Sequence, residues 1–353
     1  MRGDREQHER ATAGKYRRLQ RLSDANHRFA LLAIDQRGSL LKMLAAHTQR
    51  PASNVSDEAL ALIKEVITAA VAPFATAVLT DPIYGYPAAP KAVPPAVGVL
   101  LALEVTGYEA SNSAERLTRL IDGWSVRGIG QTGADAVKVL VWHHPDASQQ
   151  TLQHQESLVE RVGAQCAEEG LPFVLEIVGY PLEGHTAVSV EYARAKPDIV
   201  LDGAQRYSQP RFGVDLLKVE FPTNLKYVGE YQDRAFGGHE VIWDLSEVAS
   251  ICRQLDEASH VPWVILSAGV DPAEFVENVR LANDAGASGF ICGRAVWKHV
   301  VDWFPDASAM RRFAEETARE LFVRIRNAND EARPWTRHPH ALRLQRQPAK
   351  KAF

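Results

Sequence analysis

The sequence predicts a (β/α)8 barrel, an α/β fold in which parallel strands alternate with helices. Eight short runs rich in Val, Ile, Leu and Phe recur along the chain, and each is apolar throughout rather than at every second residue. Continuous apolarity is typical of parallel strands that are covered on both faces. Eight strand–helix units fit the usual barrel length of about 250 residues. The runs are residues 29–35, 75–81, 98–105, 134–143, 171–180, 216–222, 263–269 and 289–296.

Stretches with helical spacing separate most of these runs. In residues 56–71, for example, Leu60, Ile63 and Ile67 recur three or four positions apart, as on one face of a helix. A doubly wound open sheet is the alternative architecture, but no GxGxxG or Walker-type loop follows the first strand. The other helical stretches are residues 114–129, 156–169, 246–258 and 272–285.

The segments outside the barrel lie at the two ends of the chain. Residues 1–28 are predicted to form an added N-terminal helical extension, with its helix at 13–22, and residues 29–330 the barrel. Residues 331–353 contain one acidic residue, Glu331, and six Lys and Arg residues. This basic composition predicts a disordered, solvated tail, with a phosphate-steering arm as the alternative.

Composition limits the classes of function. The chain has 353 residues, 46% of them hydrophobic, and a net charge of −4, so it can bury a sizeable core. It has no basic excess for nucleic acid, no apolar run that could span a membrane, and no apolar signal core at its N-terminus. We therefore expect a soluble cytoplasmic protein without nucleic-acid or membrane partners. Cys166, Cys252 and Cys292 form no CxxC pair, which argues against disulfides and structural zinc.

A polar or charged residue occurs near the end of each apolar run. A buried charge is costly unless it is paired or used, and functional groups of a barrel project from the C-terminal ends of its strands. We therefore expect these side chains to converge on one polar site. In chain order they are Asp35, Asp81, Glu104, Lys138, Glu176, Lys218, Ser267 and Arg294.

Lys218 is the predicted nucleophile, because burial can make a lysine neutral and a neutral amine attacks carbonyl groups. The alternatives are a side chain that snorkels to solvent, or a simple pair with Glu220, which shares its strand face. Lys138 is a second lysine inside an apolar run. If both face the interior, each disfavours charge on the other, so one can be neutral while the other stays cationic and binds an anion.

Two carboxylates are candidates for proton transfer and substrate orientation. Glu176 is surrounded by aliphatic residues, and desolvation is expected to raise its pKa toward the range of a general acid–base. An ion pair with one of the two lysines is the alternative. Asp35 ends the first strand, where it belongs either to the site or to a helix cap.

The ends of the last two strands predict a phosphate site. Ser267, Gly269 and Gly293 are small residues that let backbone N–H groups approach an anion, and Arg294 adds a cation with bidentate geometry. Ordinary turn glycines are the alternative. A catalytic metal would need His or carboxylate clusters at several strand ends, but the His143-His144 pair follows only one strand, so no metal or other cofactor is expected.

Several motifs run in order across residues 29–300 and together resemble the class I tagatose 1,6-bisphosphate aldolase family. They include AIDQRG at 33–38, TDPIYG at 80–85, GADAVK at 133–138, LEI at 175–177, LKVE at 217–220, LSAGV at 266–270 and CGRA at 292–295. The resemblance implies a TIM barrel that works through a lysine Schiff base without metal.

By matching motif, the resemblance also implies roles for individual residues. Lys218 takes the position of the Schiff-base lysine, and Glu176 that of the acid–base carboxylate. Lys138 and Asp35 match the other charged active-site positions. The implied substrate- and phosphate-binding residues are Gln36, Ser267, Gly269, Gly293 and Arg294.

The resemblance implies cleavage of a ketose 1-phosphate or 1,6-bisphosphate to dihydroxyacetone phosphate and an aldehyde such as glyceraldehyde 3-phosphate. The segments Trp142-His143-His144-Pro145 and Gly179-Tyr180-Pro181 depart from the family pattern. A 6-deoxy-6-sulfofructose 1-phosphate aldolase, which would release sulfolactaldehyde, is therefore an alternative.

Other classes of function stay open at this point. They are a non-catalytic sugar-phosphate-binding regulator, and a barrel isomerase or epimerase with Glu176 as base. The sequence is also compatible with a homo-oligomer.

Overall fold

A computed structural model describes residues 2–86, 89–110, 115–182 and 186–345. Within these ranges, eight parallel strands hydrogen-bond in a closed ring, so the predicted barrel is confirmed. The strands are β1 (Phe29–Ala33), β2 (Ala77–Thr80), β3 (Gly98–Ala102), β4 (Ala136–His143), β5 (Phe173–Gly179), β6 (Leu216–Glu220), β7 (Trp263–Leu266) and β8 (Gly289–Cys292). Around the ring the order is β1–β8–β7–β6–β5–β4–β3–β2.

Alternation along the strands divides their side chains between the barrel interior and the layer under the helices. Near the N-terminal ends of the strands the interior is apolar, and Val174 and Leu216 are completely buried there. Two residues further along β5 and β6, the next inward positions are Glu176 and Lys218. The ammonium of Lys138 on β4 reaches the same level and lies 2.6 Å from Glu176. A layer of charged side chains therefore lies on an apolar floor.

The helices surround the barrel and begin at side chains that the sequence supplies as caps. Ser56, Ser148 and Ser189 each accept a backbone N–H in the first turn of the helix that follows. None of the described helices is long and apolar enough to cross a bilayer. The helices are α1 (Arg2–Leu22), α2 (Gly38–Thr48), α3 (Asp57–Val71), α4 (Ala89–Ala92), α5 (Val126–Gln131), α6 (Gln149–Glu169), α7 (Val190–Tyr207), α8 (Leu245–Ala258), α9 (Pro272–Ala285), α10 (Arg294–Trp297), α11 (Ala307–Phe313), α12 (Arg319–Asn327) and α13 (Pro339–Gln345).

The helical stretches predicted at 56–71, 156–169, 246–258 and 272–285 correspond to α3, α6, α8 and α9, although α6 begins earlier. The prediction of a helix over residues 114–129 is wrong. Arg116–Leu117 pairs with Glu109–Ala110 in a short antiparallel ribbon, and α5 begins only at Val126. Gly123 has a left-handed φ of 78° and Ser125 caps α5, so the chain turns before the helix starts.

The two ends of the chain pack against the N-terminal side of the barrel. The first helix runs well beyond the predicted residues 13–22, from Arg2 to Leu22. The expectation of a disordered tail is wrong for its first half, because Trp335 is completely buried and residues 339–345 form α13. The basic residues obscured this apolar anchor, whose ring lies 5.2 Å from that of Tyr16. Residues 346–353 lie outside the described residues.

A buried carboxylate ties both terminal segments to the barrel. Asp215, which directly precedes β6, lies 2.7 Å from the ammonium of Lys15 on α1 and 3.2 Å from the imidazole of His340 on α13. It also accepts the N–H of Phe173 at 2.9 Å. Burial opposes ionisation of this carboxylate, but Lys15 and His340 together outweigh burial and lower the pKa of Asp215.

We expect Asp215→Asn to destabilise the protein by about 3–5 kcal/mol, because it leaves the ammonium of Lys15 buried without an anionic partner. Urea denaturation followed by circular dichroism measures this loss. Glu240→Gln is the control, because Glu240 pairs with Arg194 on the surface and such pairs contribute about 0–1 kcal/mol. Equal losses of stability in the two variants would contradict the conclusion that the buried ion pair of Asp215 and Lys15 stabilises the protein.

His338 gives a pH-dependent contribution to stability. Burial, together with the neighbouring His340, lowers the pKa of His338 to about 4. In the unfolded chain histidine titrates near 6.5, so between these pH values the unfolded state binds more protons and stability falls as the pH falls. We expect this residue to remove about 2 kcal/mol of stability between pH 7 and pH 5.

Urea denaturation of the wild type and His338→Gln at both pH values tests this expectation. The variant should lack this component of the pH dependence. His299→Gln, at an exposed position that pairs with Asp302, should keep it. A variant at residue 338 with the pH dependence of the wild type would disprove the assignment.

Candidate active site

Lys138 lies at the centre of the charged layer in the barrel. Its ammonium is 3.0 Å from Asp35 Oδ2, 2.6 Å from Glu104 Oε1 and 2.6 Å from Glu176 Oε2. The lysine is only 1% exposed. These carboxylates come from the ends of β1 and β3 and from the middle of β5, so one buried cation draws three strands together.

The three carboxylates fix the charge of Lys138. Burial alone would favour the neutral amine, but Asp35, Glu104 and Glu176 outweigh burial and raise the pKa of Lys138 well above its ordinary value. The predicted cationic state agrees with this geometry, whereas the predicted anion-binding role does not. Two of the three N–H donors of Lys138 form hydrogen bonds to Asp35 and Glu104, and a third carboxylate, Glu176, lies 2.6 Å from the same nitrogen.

Glu176 joins Lys138 to Lys218. Its Oε2 atom lies 2.6 Å from the Lys138 ammonium nitrogen and 2.9 Å from that of Lys218. The parallel register places Glu176 beside Lys218 on neighbouring strands. Lys218 is 3% exposed, so snorkelling to solvent does not describe it.

The expectation that desolvation raises the pKa of Glu176 is wrong. Burial does oppose ionisation, but the charges of Lys138 and Lys218 outweigh it and lower the pKa of Glu176 below its ordinary value. Glu176 is therefore a carboxylate that accepts protons. The same balance lowers the pKa of Asp35, whereas burial raises the pKa of Glu104.

Two simpler explanations of these charged residues do not fit the structure. Glu220 accepts the N–H of Gly179 at 2.8 Å and lies 3.6 Å from the ammonium of Lys196, so it is not the partner of Lys218. Asp35 caps no helix, because α2 begins at Gly38 with Arg37 at its N-cap.

The loops after β7 and β8 contact each other beside the charged layer. Ser267 Oγ accepts the N–H of Gly293 at 3.4 Å. Gly269 follows Ala268, and both have left-handed φ angles, of 81° and 48°, which the glycine adopts without strain. A Cβ atom on Gly293 would lie 2.9 Å from the carbonyl oxygen of Ala33, so only glycine lets this loop approach β1 so closely.

One pocket collects most of the residues singled out from the sequence. Asp35 and Lys138 lie outside its lining but contact Glu176 or its partners from below. The geometry therefore brings all nine predicted site residues into one region, although their roles stay predictions. The predicted residues in the pocket lining are Gln36, Glu176, Lys218, Ser267, Gly269, Gly293 and Arg294.

A third buried lysine, Lys64, lies beside the site and was not predicted from the sequence. Lys64 on α3 is 0% exposed and lies 2.8 Å from Asp81 Oδ2. It also donates to the carbonyl oxygens of Ile34 and Gln36, which flank Asp35. A usable signal was present, because Lys64 occupies the apolar stripe of α3 between Leu60 and Ile67.

Comparisons with known proteins show the family to which the chain belongs. The model of the DeoC/LacD family aldolases matches residues 29–299. A tagatose 1,6-diphosphate aldolase from Lactococcus lactis subsp. lactis is 38% identical over 333 residues, which cover 92% of this chain and 98% of that protein. A tagatose 1,6-diphosphate aldolase from Streptococcus pneumoniae is 39% identical over 305 residues, covering 85% of this chain and 90% of its own.

Solved structures show the same fold at much lower identity. A fructose-bisphosphate aldolase from Plasmodium falciparum has a TM-score of 0.66 and 15% identity, and the match covers 92% of this chain and 96% of that chain. An archaeal fructose 1,6-bisphosphate aldolase has a TM-score of 0.52 and 19% identity, covering 87% and 99%. With the family model spanning the barrel and relatives of 38–39% identity spanning most of the chain, the protein belongs to the DeoC/LacD aldolase family and is an aldehyde-lyase.

Proposed function

We propose that this aldolase cleaves a ketose 1-phosphate or 1,6-bisphosphate through a Schiff base on Lys218, releasing dihydroxyacetone phosphate and an aldehyde. The observation that carries the proposal is the sharing of one Glu176 oxygen by Lys138 and Lys218, beside the loops that end β7 and β8. Relatives named tagatose 1,6-diphosphate aldolase support a ketohexose bisphosphate as the substrate class.

The first half of the reaction makes the carbonyl carbon an electron sink. The neutral amine of Lys218 attacks C2 of the open-chain sugar, and loss of water from the carbinolamine leaves a protonated imine. Lys138 remains cationic throughout because its carboxylate partners stabilise the charge. The proposed role of Asp35, which lies 3.0 Å from the ammonium of Lys138, is to orient substrate hydroxyl groups.

The second half breaks the carbon chain. Glu176, directly or through a water, takes the proton of the C4 hydroxyl, the C3–C4 bond breaks, and its electron pair forms an enamine with the imine carbon. The aldehyde half leaves. Protonation at C3 and hydrolysis of the resulting imine then release dihydroxyacetone phosphate and free Lys218. The lowered pKa of Glu176 keeps it ionised and ready to accept this proton.

Substrate positioning is the proposed role of the loops after β7 and β8. Their small residues, Ser267, Gly269 and Gly293, leave backbone N–H groups accessible to a phosphate, and Arg294 lines the same pocket. Gln36 has a buried side-chain oxygen without a hydrogen-bond partner among the described residues, which suits it to a substrate hydroxyl. Binding the phosphate would place C2 against Lys218.

Borohydride trapping tests the Schiff base. We expect incubation with dihydroxyacetone phosphate and borohydride to attach a reduced three-carbon adduct to Lys218, located by peptide mass spectrometry. Lys218→Met should lose both the adduct and cleavage. An adduct on Lys138 would overturn the assignment, and appreciable activity in Lys218→Met would favour an isomerase or epimerase with Glu176 as base. Phosphate binding without cleavage of tagatose 1,6-bisphosphate, fructose 1,6-bisphosphate or 6-deoxy-6-sulfofructose 1-phosphate would favour a regulator.

Glu176→Gln tests the proton-transfer step. We expect kcat to fall by about 10²–10⁴-fold, the usual contribution of a general base, with a smaller change in KM. Steady-state cleavage assays measure both. Glu220→Gln is the matched control, because Glu220 lies two residues beyond Lys218 but pairs with Lys196 outside the pocket. Equal losses in the two variants would show that general structural damage, rather than proton transfer, explains the effect.

A further inference from the structure

Arg116 lies inside a cage of aromatic rings. Its guanidinium carbon is 4.6 Å from the ring centroid of Tyr108, 4.7 Å from that of Trp142 and 5.1 Å from that of Tyr180. These distances are in the range of cation–π contacts, which hold an arginine without using its N–H donors. The ribbon that carries Arg116 follows the C-terminal end of β3 and precedes α5, so the cage belongs to the C-terminal side of the barrel.

The cage stands above the charged layer. Trp142 lies four residues beyond Lys138 on β4, and Tyr180 lies four residues beyond Glu176. The even spacing keeps Trp142 on the inward face of β4, Tyr180 directly follows the end of β5, and four residues of a strand rise by about 13 Å. Arg116 is therefore held at the mouth of the barrel, over the strands that supply Lys138 and Glu176.

The guanidinium has no acceptor within the described part of the chain. Arg119, three residues further along the chain, pairs with Glu109, whereas no described carboxylate or carbonyl group accepts a hydrogen bond from the Arg116 side chain. The side chain is half-buried, so part of its hydration is already lost. A planar cation with free, pre-oriented N–H donors suits a tetrahedral oxyanion, which it can bind through two hydrogen bonds.

The strand order gives the direction in which a substrate lies. The predicted phosphate loops end β7 and β8, Lys218 is on β6, Glu176 is on β5, and the cage covers the ends of β4 and β5. A sugar with its first phosphate on the loops and C2 at Lys218 thus presents C4 to Glu176 and its last carbons to Arg116. The pocket itself has a volume of about 40 Å³. This is far below the roughly 300–1,000 Å³ of sites for drug-sized ligands, so the substrate extends toward the mouth.

We propose that Arg116, held by its aromatic cage, binds the anionic group at the far end of the substrate, a phosphate or a sulfonate on the aldehyde half. This inference rests on the proposed aldolase reaction, because that reaction sets which end of the sugar reaches the mouth. In this role Arg116 determines which substrate binds, whereas Lys218 and Glu176 carry out bond cleavage.

The test compares wild type, Arg116→Gln and Arg116→Lys in steady-state cleavage of three substrates. These are tagatose 1,6-bisphosphate, 6-deoxy-6-sulfofructose 1-phosphate, and tagatose 1-phosphate, which lacks the distal anion. For the substrate whose anion Arg116 binds, kcat/KM should fall by roughly ten- to a hundredfold in Arg116→Gln, as expected for a lost hydrogen bond to a charged group. The loss should come through KM, and tagatose 1-phosphate should be nearly unaffected. Arg116→Lys should lie between, because it keeps the charge but loses the bidentate geometry.

Two controls separate this inference from protein damage and from the aldolase proposal. Arg119→Gln removes an exposed arginine close by on the chain, and it should leave all three substrates unchanged. Borohydride trapping with dihydroxyacetone phosphate should label Arg116→Gln as strongly as wild type, because that molecule has no distal anion. Failure of trapping in wild type would defeat the aldolase proposal, whereas normal trapping alone leaves it intact.

The pattern of kcat/KM losses across the three substrates tests the role assigned to Arg116. A loss confined to the bisphosphate identifies a phosphate as the distal group, and a loss confined to the sulfonate identifies a sulfonate. Either loss supports the inference. Equal losses on all three substrates, or no loss on any, would overturn it, and so would reduced trapping in both substituted proteins.

Discussion

A carboxylate oxygen shared by two buried lysines is the contact on which the centre of this barrel depends. Lys138 is 1% exposed, and an ammonium at that depth is stable only with charged partners. Those partners, Asp35, Glu104 and Glu176, come from the ends of β1 and β3 and the middle of β5, so the cation stabilises the arrangement of the three strands. Removing one partner from such a cluster typically costs about 3–5 kcal/mol. Glu176 then fixes Lys218, and the nucleophile takes its position from a network whose other members need not touch the substrate.

A third buried lysine supports the same region from outside the barrel. Lys64 is completely buried, pairs with Asp81 at the end of β2, and donates to the carbonyl groups of Ile34 and Gln36. These carbonyl groups have left the β1 ladder and need another donor, since buried backbone groups are rarely left unpaired. Lys64 thereby holds the segment that carries Asp35 toward Lys138. The cluster around Lys138 consequently relies on helix packing as well as on strand register.

Local patterns were sufficient to predict the barrel and the strand that carries each charged residue. Continuous apolar runs indicate parallel strands, and a single charged residue within such a run indicates a side chain that is paired or functional. The partners were harder to predict, because they depend on which side chains meet across strands. Burial around Glu176 suggested a raised pKa, and only the distances to Lys138 and Lys218 reverse the sign. Arg116 gave no local signal, since its cage joins residues from three separate segments.

The order of strands around the ring separates the chemistry of this fold from its choice of substrate. Schiff-base formation and proton transfer would use Lys218 and Glu176 on β6 and β5, buried positions whose charges are balanced by the cluster around Lys138. Recognition of the distal group would use the aromatic cage of Arg116 at the ends of β4 and β5, whose members form none of the ion pairs of the charged layer. Substitutions at the mouth can then change which ketose phosphate binds without disturbing the buried ion pairs. A substitution that removes a charge from the charged layer destabilises the protein, because it leaves the partner of that charge buried and unpaired.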